Sequence, residues 1–182
     1  MKEELIISGF GGQGVLSFGK ILAYSALLQG QEVSWMPSYG PEMRGGTSNV
    51  TVILSDTRIS SPVLNMYDTV IVLNQPSMDK FAPRVKPGGT LIYDSGTVKA
   101  ITNRKDINIY KINAAEYASD HNMAKTFNMI VLGGLLKVRP LTTIENIIHS
   151  LVKSLPERHH HLLPMNENAL KAGMELIEKV EK

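Results

Sequence analysis

The chain has 182 residues, a formal net charge of +2 at pH 7 and no cysteine. This length suffices for one domain with a hydrophobic core, and 43% hydrophobic and 20% charged residues are ordinary for a globular protein. The lack of cysteine excludes disulfides, a cysteine nucleophile and iron–sulfur clusters held by thiolates of this chain. Interspersed charges give no basic stripe for nucleic acid, and no uncharged helical stretch approaches the ~20 residues of a bilayer span.

Apolar periodicity predicts strands that alternate with helices along the chain. Short apolar or alternating runs bounded by turn residues indicate strands, whereas apolar residues three and four positions apart indicate helices. The predicted strands cover residues 4–8, 32–36, 49–55, 69–74, 90–93 and 107–113. The predicted helices cover residues 13–29, 77–85, 114–121, 124–138, 143–155 and 166–180.

This order of elements predicts a single α/β domain over residues 1–182, a Rossmann-like three-layer α/β/α structure. Most of its strands are expected to be parallel. No helix separates the strands over 32–36 and 49–55, so this pair can be antiparallel and the sheet mixed. The strand over 32–36 is expected to stop at Pro37.

The loop after the first strand, "GFGGQG", has Gly9, Gly11 and Gly14 at the spacing of a dinucleotide fingerprint. Glycines let backbone N–H groups approach an anion, and the following helix adds the positive end of its dipole. The same glycines also suit a tight strand–loop–helix turn that binds nothing. A NAD site needs an acidic residue at the tip of the second strand, where this chain has "WMPSYG". The loop therefore favours anion binding over a NAD site.

A second polar loop, "SYGPEMRGG", is expected at the same edge of the sheet, where the strands have their carboxyl ends. Arg44 lies between a Gly-Pro turn and the pair Gly45 and Gly46, which suits bidentate contact with a phosphate or carboxylate. The alternative is a surface turn in which Arg44 pairs with Glu42. Its position favours an anion-binding or interface role.

No catalytic set is visible in the sequence. The three consecutive histidines, residues 159–161, lack the i, i+4 spacing of metal ligands on a helix. An exposed turn or an interface is the more ordinary interpretation of such a run.

Two predicted helices contain unusually few charges. The helix over 13–29 has only Lys20, and residues 126–136 have none. A helix on one face of a sheet should show a polar stripe, so we interpret both helices as surfaces for a partner. The alternative is that the chain itself buries both sides. Gly133 and Gly134 cost about 1 kcal/mol each relative to alanine, which predicts close approach by another backbone.

Three segments make the sequence similar to a known family. "GFGGQGV", "SYGPEMRGGTSN" and "LPERHHHLLPMNENALKAGMELI" resemble the gamma subunit of the 2-oxoacid:ferredoxin oxidoreductases. The resemblance covers nearly the whole chain, and the pairing of the first two segments is specific. These enzymes decarboxylate a 2-oxoacid, reduce ferredoxin and release acyl-coenzyme A.

The resemblance implies a non-catalytic subunit of a cytoplasmic complex, with no nucleic-acid or membrane partner. Alpha and beta subunits would bind thiamine diphosphate, and beta or a ferredoxin-like delta subunit would hold the iron–sulfur clusters. The gamma subunit would help to present coenzyme A. Candidate contacts for a coenzyme A phosphate or a partner subunit are Gly9, Gly11, Gly12, Gln13, Gly14, Arg44, Gly45 and Gly46. No residue is predicted to be catalytic or to bind a metal.

The resemblance leaves the 2-oxoacid open. A separate gamma chain favours the 2-oxoglutarate and branched-chain enzymes over the pyruvate enzyme. Two alternatives remain: a stand-alone nucleotide-binding module, and the smaller subunit of indolepyruvate oxidoreductase.

Overall fold

A computed structural model describes residues 1–39 and 47–181 of the chain. Arg44, Gly45 and Gly46 lie outside the described residues, so the predicted contacts of the second polar loop stay predictions. Within the described part, no helix is long and apolar enough to cross a membrane.

One mixed sheet of seven strands forms the centre of the described structure. The strands lie in the spatial order β2-β3-β1-β4-β5-β6-β7. β3 and β7 run antiparallel to the other five, so the prediction of a mostly parallel, mixed sheet is confirmed. The strands are β1 (Lys2–Phe10), β2 (Glu32–Tyr39), β3 (Thr47–Ser55), β4 (Tyr67–Val72), β5 (Val85–Asp94), β6 (Asn108–Ile112) and β7 (Glu178–Lys179).

Helices cover both faces of this sheet, as the predicted three-layer arrangement requires. The bounds are α1 (Val15–Leu28), α2 (Gln75–Phe81), α3 (Ala114–Asp120), α4 (Phe127–Val138), α5 (Ile144–Ser154) and α6 (Leu163–Leu176). α1 and α3 to α6 share one hydrophobic core, and α2 contributes to a second core on the other face. β1 alternates between them, because Leu5 and Ile7 enter the first core while Ile6 enters the second.

Several predicted boundaries differ from the structure, among them the start of β5 at Val85 instead of residue 90, and two of the differences have identifiable reasons. β2 does not stop at Pro37 but runs on to Tyr39. It is an edge strand paired only with β3, where a missing N–H group is tolerated. The last helix ends at Leu176 instead of continuing to Val180. Ile177 packs in the first core and Val180 in the second, and an extended chain reaches both faces of the sheet whereas a helix does not.

The interpretation of α4 as a partner surface is also wrong, because α6 of the same chain covers it. A Cβ atom on Gly133 would lie 1.9 Å from the Leu170 carbonyl oxygen, and one on Gly173 would lie 1.8 Å from the Ile130 carbonyl oxygen. The close backbone approach predicted from the glycines therefore exists within the chain. The residues from 129 to 136 are all buried.

Candidate functional site

The glycine loop links the end of β1 to the start of α1. Gly9 still belongs to β1, where it pairs with Ser48 of β3. Gly12 and Gly14 have φ angles of 98° and 74°, in the left-handed region that favours glycine. Gly14 is the N-cap of α1 and has no side chain to cap the helix. The first N–H groups of α1 therefore lack a side-chain acceptor at the cap.

Gln13 holds this loop in place through both ends of its amide. Its Oε1 atom accepts a hydrogen bond from the Phe10 N–H at 2.6 Å, and its Nε2 atom donates to the Leu73 carbonyl at 2.9 Å. A Cβ atom on Gly9 would lie 2.5 Å from the same Oε1 atom, so this contact requires glycine at position 9. The Gln13 side chain thus fixes the loop to the end of β4.

A cleft of about 490 Å³ opens beside the loop. Gly12, Gln13 and Gly14 form one wall, and the opposite wall comes from α3 and the start of α4. The Asn128 Nδ2 atom donates to the Gly14 carbonyl at 3.3 Å and so joins the beginnings of α1 and α4. The other lining residues are Ser17, Ala115, Ala118, Ser119, Ala124, Lys125 and Phe127.

The cleft has two features that favour an anion, a lysine and two helix N-termini. Lys125 is the single charged residue among the described residues that line it. α1 and α4, whose first turns contain no acidic residue, both begin at this cleft. Helix N-termini carry partial positive charge and exposed N–H groups, which favour an anion such as a phosphate. The geometry therefore suits binding of an anion.

Two other polar residues at this edge of the sheet have structural roles. The fully buried Asp94 accepts hydrogen bonds from the Ala114 and Ala115 N–H groups at 2.9 and 3.0 Å and from the Thr97 hydroxyl at 2.8 Å. Asn74 accepts the Ser77 N–H at 2.8 Å as the cap of α2. Asp94 ends β5 and Asn74 lies just after β4, and the oxygens of both side chains accept hydrogen bonds from helix N-termini.

The sequence predictions and the structure agree only partly on the site. Gly12, Gln13 and Gly14 line the cleft. Gly9 does not line it, but its lack of a side chain leaves space for the Gln13 side chain. Lys125 and Asn128 were missed, since they lie more than 100 positions further along the chain. One sequence signal could have found Lys125. It lies in the segment "MAKT" directly before the apolar run of α4, and therefore close to the N-terminus of a predicted helix.

The consecutive histidines lie in a 3-10 helix, Glu157–Leu162, away from the cleft residues. The His160 Nε2 atom lies 3.0 Å from the Leu155 carbonyl oxygen, a local backbone contact. Within residues 1–39 and 47–181, no group of three or more histidine, aspartate or glutamate side chains is placed to hold a metal ion.

An ionic cluster occupies the opposite, amino edge of the sheet. The Lys86 Nζ atom lies 2.6 Å from a Glu4 carboxylate oxygen and 2.7 Å from an Asp68 carboxylate oxygen. Burial alone would raise the pKa of Glu4, but hydrogen bonds from Lys2 and Lys86 outweigh it and lower that pKa. Burial alone would lower the pKa of Lys86, and its bonds to Asp68 and Glu4 raise it instead. These charges neutralise one another, which is a structural role.

The fold and the cleft define a class: a Rossmann-like α/β domain with a glycine-lined cleft at the carboxyl edge of its sheet. The chain belongs to the pyruvate ferredoxin/flavodoxin oxidoreductase family, which matches residues 4–176. This confirms the family resemblance predicted from the sequence.

Two curated relatives illustrate the range of this family. The chain is 38% identical over 169 residues to the ketoisovalerate oxidoreductase subunit VorA of Methanothermobacter thermautotrophicus, covering 93% of this chain and 35% of VorA. It is 32% identical over 160 residues to the 2-oxoglutarate synthase subunit KorC of Methanocaldococcus jannaschii, covering 86% of each. The chain thus spans about a third of VorA but most of KorC.

Solved structures show the same fold. The gamma subunit of a keto/oxoacid ferredoxin oxidoreductase from Geobacter sulfurreducens superposes with a TM-score of 0.82 and 28% identity, covering 97% of this chain and 96% of that one. A 2-oxoglutarate:ferredoxin oxidoreductase from Magnetococcus marinus gives a TM-score of 0.88 at 21% identity, covering 96% of this chain and 31% of that one.

Proposed function

We propose that the chain is the gamma subunit of a cytoplasmic 2-oxoacid:ferredoxin oxidoreductase and has no catalytic residue of its own. The assembled enzyme would convert a 2-oxoacid to acyl-coenzyme A, with release of carbon dioxide and reduction of ferredoxin. The match to a solved gamma subunit over 97% of this chain supports this assignment. We further propose that residues 1–182 form a single gamma-type domain.

The redox and decarboxylation cofactors would belong to partner subunits. Thiolates are the usual ligands of iron–sulfur clusters, and the chain has no cysteine, so its residues do not fit a cluster. Thiamine diphosphate would lie between alpha and beta subunits, and the clusters on beta or a ferredoxin-like delta subunit. Ferredoxin would be the electron acceptor of the assembly.

The cleft would bind a phosphate of coenzyme A. One observation carries this proposal: the beginnings of α1 and α4 meet at a cleft whose single charge, among the described lining residues, is Lys125. The backbone N–H groups beside Gly12, Gln13 and Gly14 would face the phosphate, and Gly9 and Gly11 would permit the turn. Arg44, Gly45 and Gly46 would add a second contact to coenzyme A or to the alpha subunit.

The substrate of the assembly would be a branched-chain 2-oxoacid or 2-oxoglutarate. Identity is 38% to the ketoisovalerate relative, whereas KorC and PorC of Methanothermobacter thermautotrophicus are both 27% identical, so identity favours the branched-chain acid. The pocket that selects the acid would be formed by the partner subunits.

The test is to purify the tagged chain from its native host without oxygen and assay what accompanies it. We expect partner subunits to co-purify and a dye to be reduced only when coenzyme A and a 2-oxoacid are both added. A chain that comes alone and holds a nucleotide would instead be a stand-alone binding module. Activity confined to indolepyruvate would assign the complex to indolepyruvate oxidoreductase.

The role of the cleft is tested in the same complex with Lys125→Gln. We expect a several-fold rise in the KM for coenzyme A with little change in kcat, because a binding charge is lost. Lys153→Gln, in the last turn of α5, is the matched control and should leave this KM unchanged. Arg44→Ala with unchanged KM and unchanged subunit content would remove Arg44 from the proposal.

A further inference from the structure

The buried carboxylate of Asp94 lies directly behind one wall of the cleft. Its Oδ1 atom accepts hydrogen bonds at 2.9 and 3.0 Å from the N–H groups of Ala114 and Ala115, the first two residues of α3. Ala115 also lines the cleft. Asp94 is fully buried, and no cation pairs with it among the residues that the structure describes. A negative charge therefore lies one hydrogen bond away from the cleft wall.

A chain of hydrogen bonds joins this carboxylate to the glycine loop. The Thr97 hydroxyl lies 2.8 Å from the Oδ2 atom of Asp94 and 2.9 Å from the Leu73 carbonyl oxygen. Both are acceptors, and the hydroxyl has a single proton to donate between them. The same Leu73 carbonyl accepts the Nε2 atom of Gln13, the residue that holds the glycine loop. The α3 wall and the glycine wall of the cleft are thus connected across the ends of β4 and β5.

The helices that begin at this edge of the sheet differ in what satisfies their first N–H groups. The side chain of Asn74 caps α2, and the carboxylate of Asp94 accepts two N–H groups of α3. α1 and α4 have no side-chain cap. A carboxylate at a helix N-terminus offsets the partial positive charge there. The α3 part of the wall therefore attracts an anion less than the beginnings of α1 and α4 do.

We propose that Asp94 is a positioning residue for the anion in this cleft, an inference that rests on the function proposed above. Through Thr97 and Gln13, Asp94 fixes the α3 wall relative to the glycine loop. Its charge repels a phosphate from the α3 wall and so directs it to the beginnings of α1 and α4, beside Lys125. These two effects oppose each other, because the fixed wall favours binding of the anion whereas the negative charge weakens it.

Two substitutions at this position separate the charge from the anchoring. Asp94→Asn keeps an acceptor oxygen for the Ala114 and Ala115 N–H groups. Its amide nitrogen can donate to the Thr97 hydroxyl, which is then free to donate to the Leu73 carbonyl. This variant therefore removes the charge and keeps the hydrogen bonds. Asp94→Ala removes the charge and the acceptor together, so the first N–H groups of α3 lose their partner.

The test measures the KM for coenzyme A and kcat of each variant in the native complex. We expect Asp94→Asn to lower this KM about threefold, because a negative charge beside the phosphate is removed. Asp94→Ala should raise it about fivefold, because the α3 wall is no longer fixed. In both variants the change in KM should exceed the change in kcat. Glu145→Gln is the matched control, since it removes a carboxylate from the first turn of α5, and it should leave this KM unchanged.

Hydrogen–deuterium exchange of the free chain shows separately whether α3 is anchored. Peptides of residues 114–120 should exchange in Asp94→Asn as in the wild type, and faster in Asp94→Ala. If Asp94→Ala does not fold, Thr97→Val replaces it, because that variant breaks the connection to the glycine loop and should also raise the KM for coenzyme A. A purely structural role would not lower this KM in Asp94→Asn. A KM that rises or stays unchanged in folded Asp94→Asn therefore overturns the inference.

Comparison with Lys125→Gln separates this inference from the proposed role of the cleft. If Lys125→Gln raises the KM for coenzyme A and Asp94→Asn does not lower it, the cleft binds coenzyme A and the role of Asp94 is wrong. If neither variant changes this KM, coenzyme A does not bind in the cleft and both proposals fail. Opposite shifts in the two variants, with Glu145→Gln unchanged, would support both.

Discussion

α1 and α4 have nearly the same composition and opposite surroundings. Each contains a single lysine and few other polar residues. α6 packs against α4 so closely that carbonyl oxygens occupy the space of a side chain at Gly133 and Gly173. α1 presents Tyr24 and Leu27 beside Trp35 of the edge strand. The comparison shows that the composition of an apolar helix predicts burial of its surface. It does not predict whether another helix of the same chain or a partner protein buries that surface.

Glycine placement explains part of this difference. Gly133 on α4 and Gly173 on α6 each admit the backbone of the other helix, so the pair is a reciprocal contact. A Cβ atom on Gly19 of α1 would lie 2.6 Å from a Val50 side-chain atom of β3, so glycine here lets α1 pack closely on the sheet while the outer side of the helix stays uncovered. Backbone-to-backbone approach is thus confined to the helix that the chain itself buries.

The largest effect is expected for Gly133→Ala. The added methyl group would meet the Leu170 carbonyl oxygen at 1.9 Å, and neither backbone can yield without separating α4 from α6. We expect a loss of about 3 kcal/mol or more in the free energy of unfolding, measured with urea.

Gly134→Ala is the matched control for that variant. Its methyl group would meet the flexible ends of Ile112 and Ile177 at 2.8 and 3.0 Å, and alanine gains about 1 kcal/mol of helix propensity. Its stability should stay within about 1 kcal/mol of the wild type, given these opposing effects. Equal losses for the two variants would contradict the described packing of α4 on α6.

A leucine-to-alanine pair compares the two helices directly. Leu132 of α4 is fully buried, whereas Leu27 of α1 is 52% exposed. Leu132→Ala should cost about 3 kcal/mol in the free chain, and Leu27→Ala less than about 0.5 kcal/mol. A large loss for Leu27→Ala in the free chain would mean that another part of the chain covers Leu27.

The ion pairs of Lys86 with Glu4 and Asp68, at the amino edge of the sheet, allow the effect of losing a charge to be compared with the effects of the packing variants. Because the pKa of Glu4 is lowered, its stabilisation is present at neutral pH and lost as the pH falls through that lowered value. Because the pKa of Lys86 is raised, its contribution is lost as the pH rises through the raised value. Lys86→Met should therefore cost at most about 1 kcal/mol near pH 7, after solvent screening.

The measurement for Lys86→Met is urea unfolding at pH 3, pH 7 and pH 11. The difference from the wild type should be largest at pH 7 and shrink toward both extremes. A difference that does not change with pH would show that Lys86 acts through packing instead of charge.

A small effect is expected for Asn128→Ala, at the point where α1 and α4 begin. The variant loses the 3.3 Å bond to the Gly14 carbonyl, which leads us to expect about 0.5 kcal/mol less stability. Thermal unfolding of the free chain provides the measurement. A loss as large as that of Leu132→Ala would mean that this bond holds the two helices together.

The sequence predicts much of the fold because its strands are short and apolar and glycine-rich or polar turns separate them. The antiparallel β2–β3 pair follows from the absence of a helix between them. The predicted end of β2 and the predicted end of the last helix are wrong because tertiary position overrides local preference. Pro37 is tolerated in a strand at the edge of the sheet, and Glu178–Lys179 pair with β6 as a strand instead of continuing the helix.

The candidate site is predictable only on one side. The spacing of the glycines predicts the loop on one side of the cleft, and Gln13 is part of that loop. Lys125 and Asn128 complete the cleft only because α4 folds back beside α1, a long-range contact that periodicity does not reveal. For the same reason the sequence cannot tell that α6 covers α4 while α1 keeps an uncovered side.

Hydrogen–deuterium exchange of the free chain and of the native complex tests the central comparison most directly. The account predicts slower exchange in the complex for peptides of residues 20–36, because a partner subunit would cover the exposed side of α1 at Tyr24 and Leu27. Peptides of residues 127–138 should be equally protected in both states, because α6 buries α4 within the chain. Unchanged exchange over 20–36, with new protection over 127–138, would contradict the account.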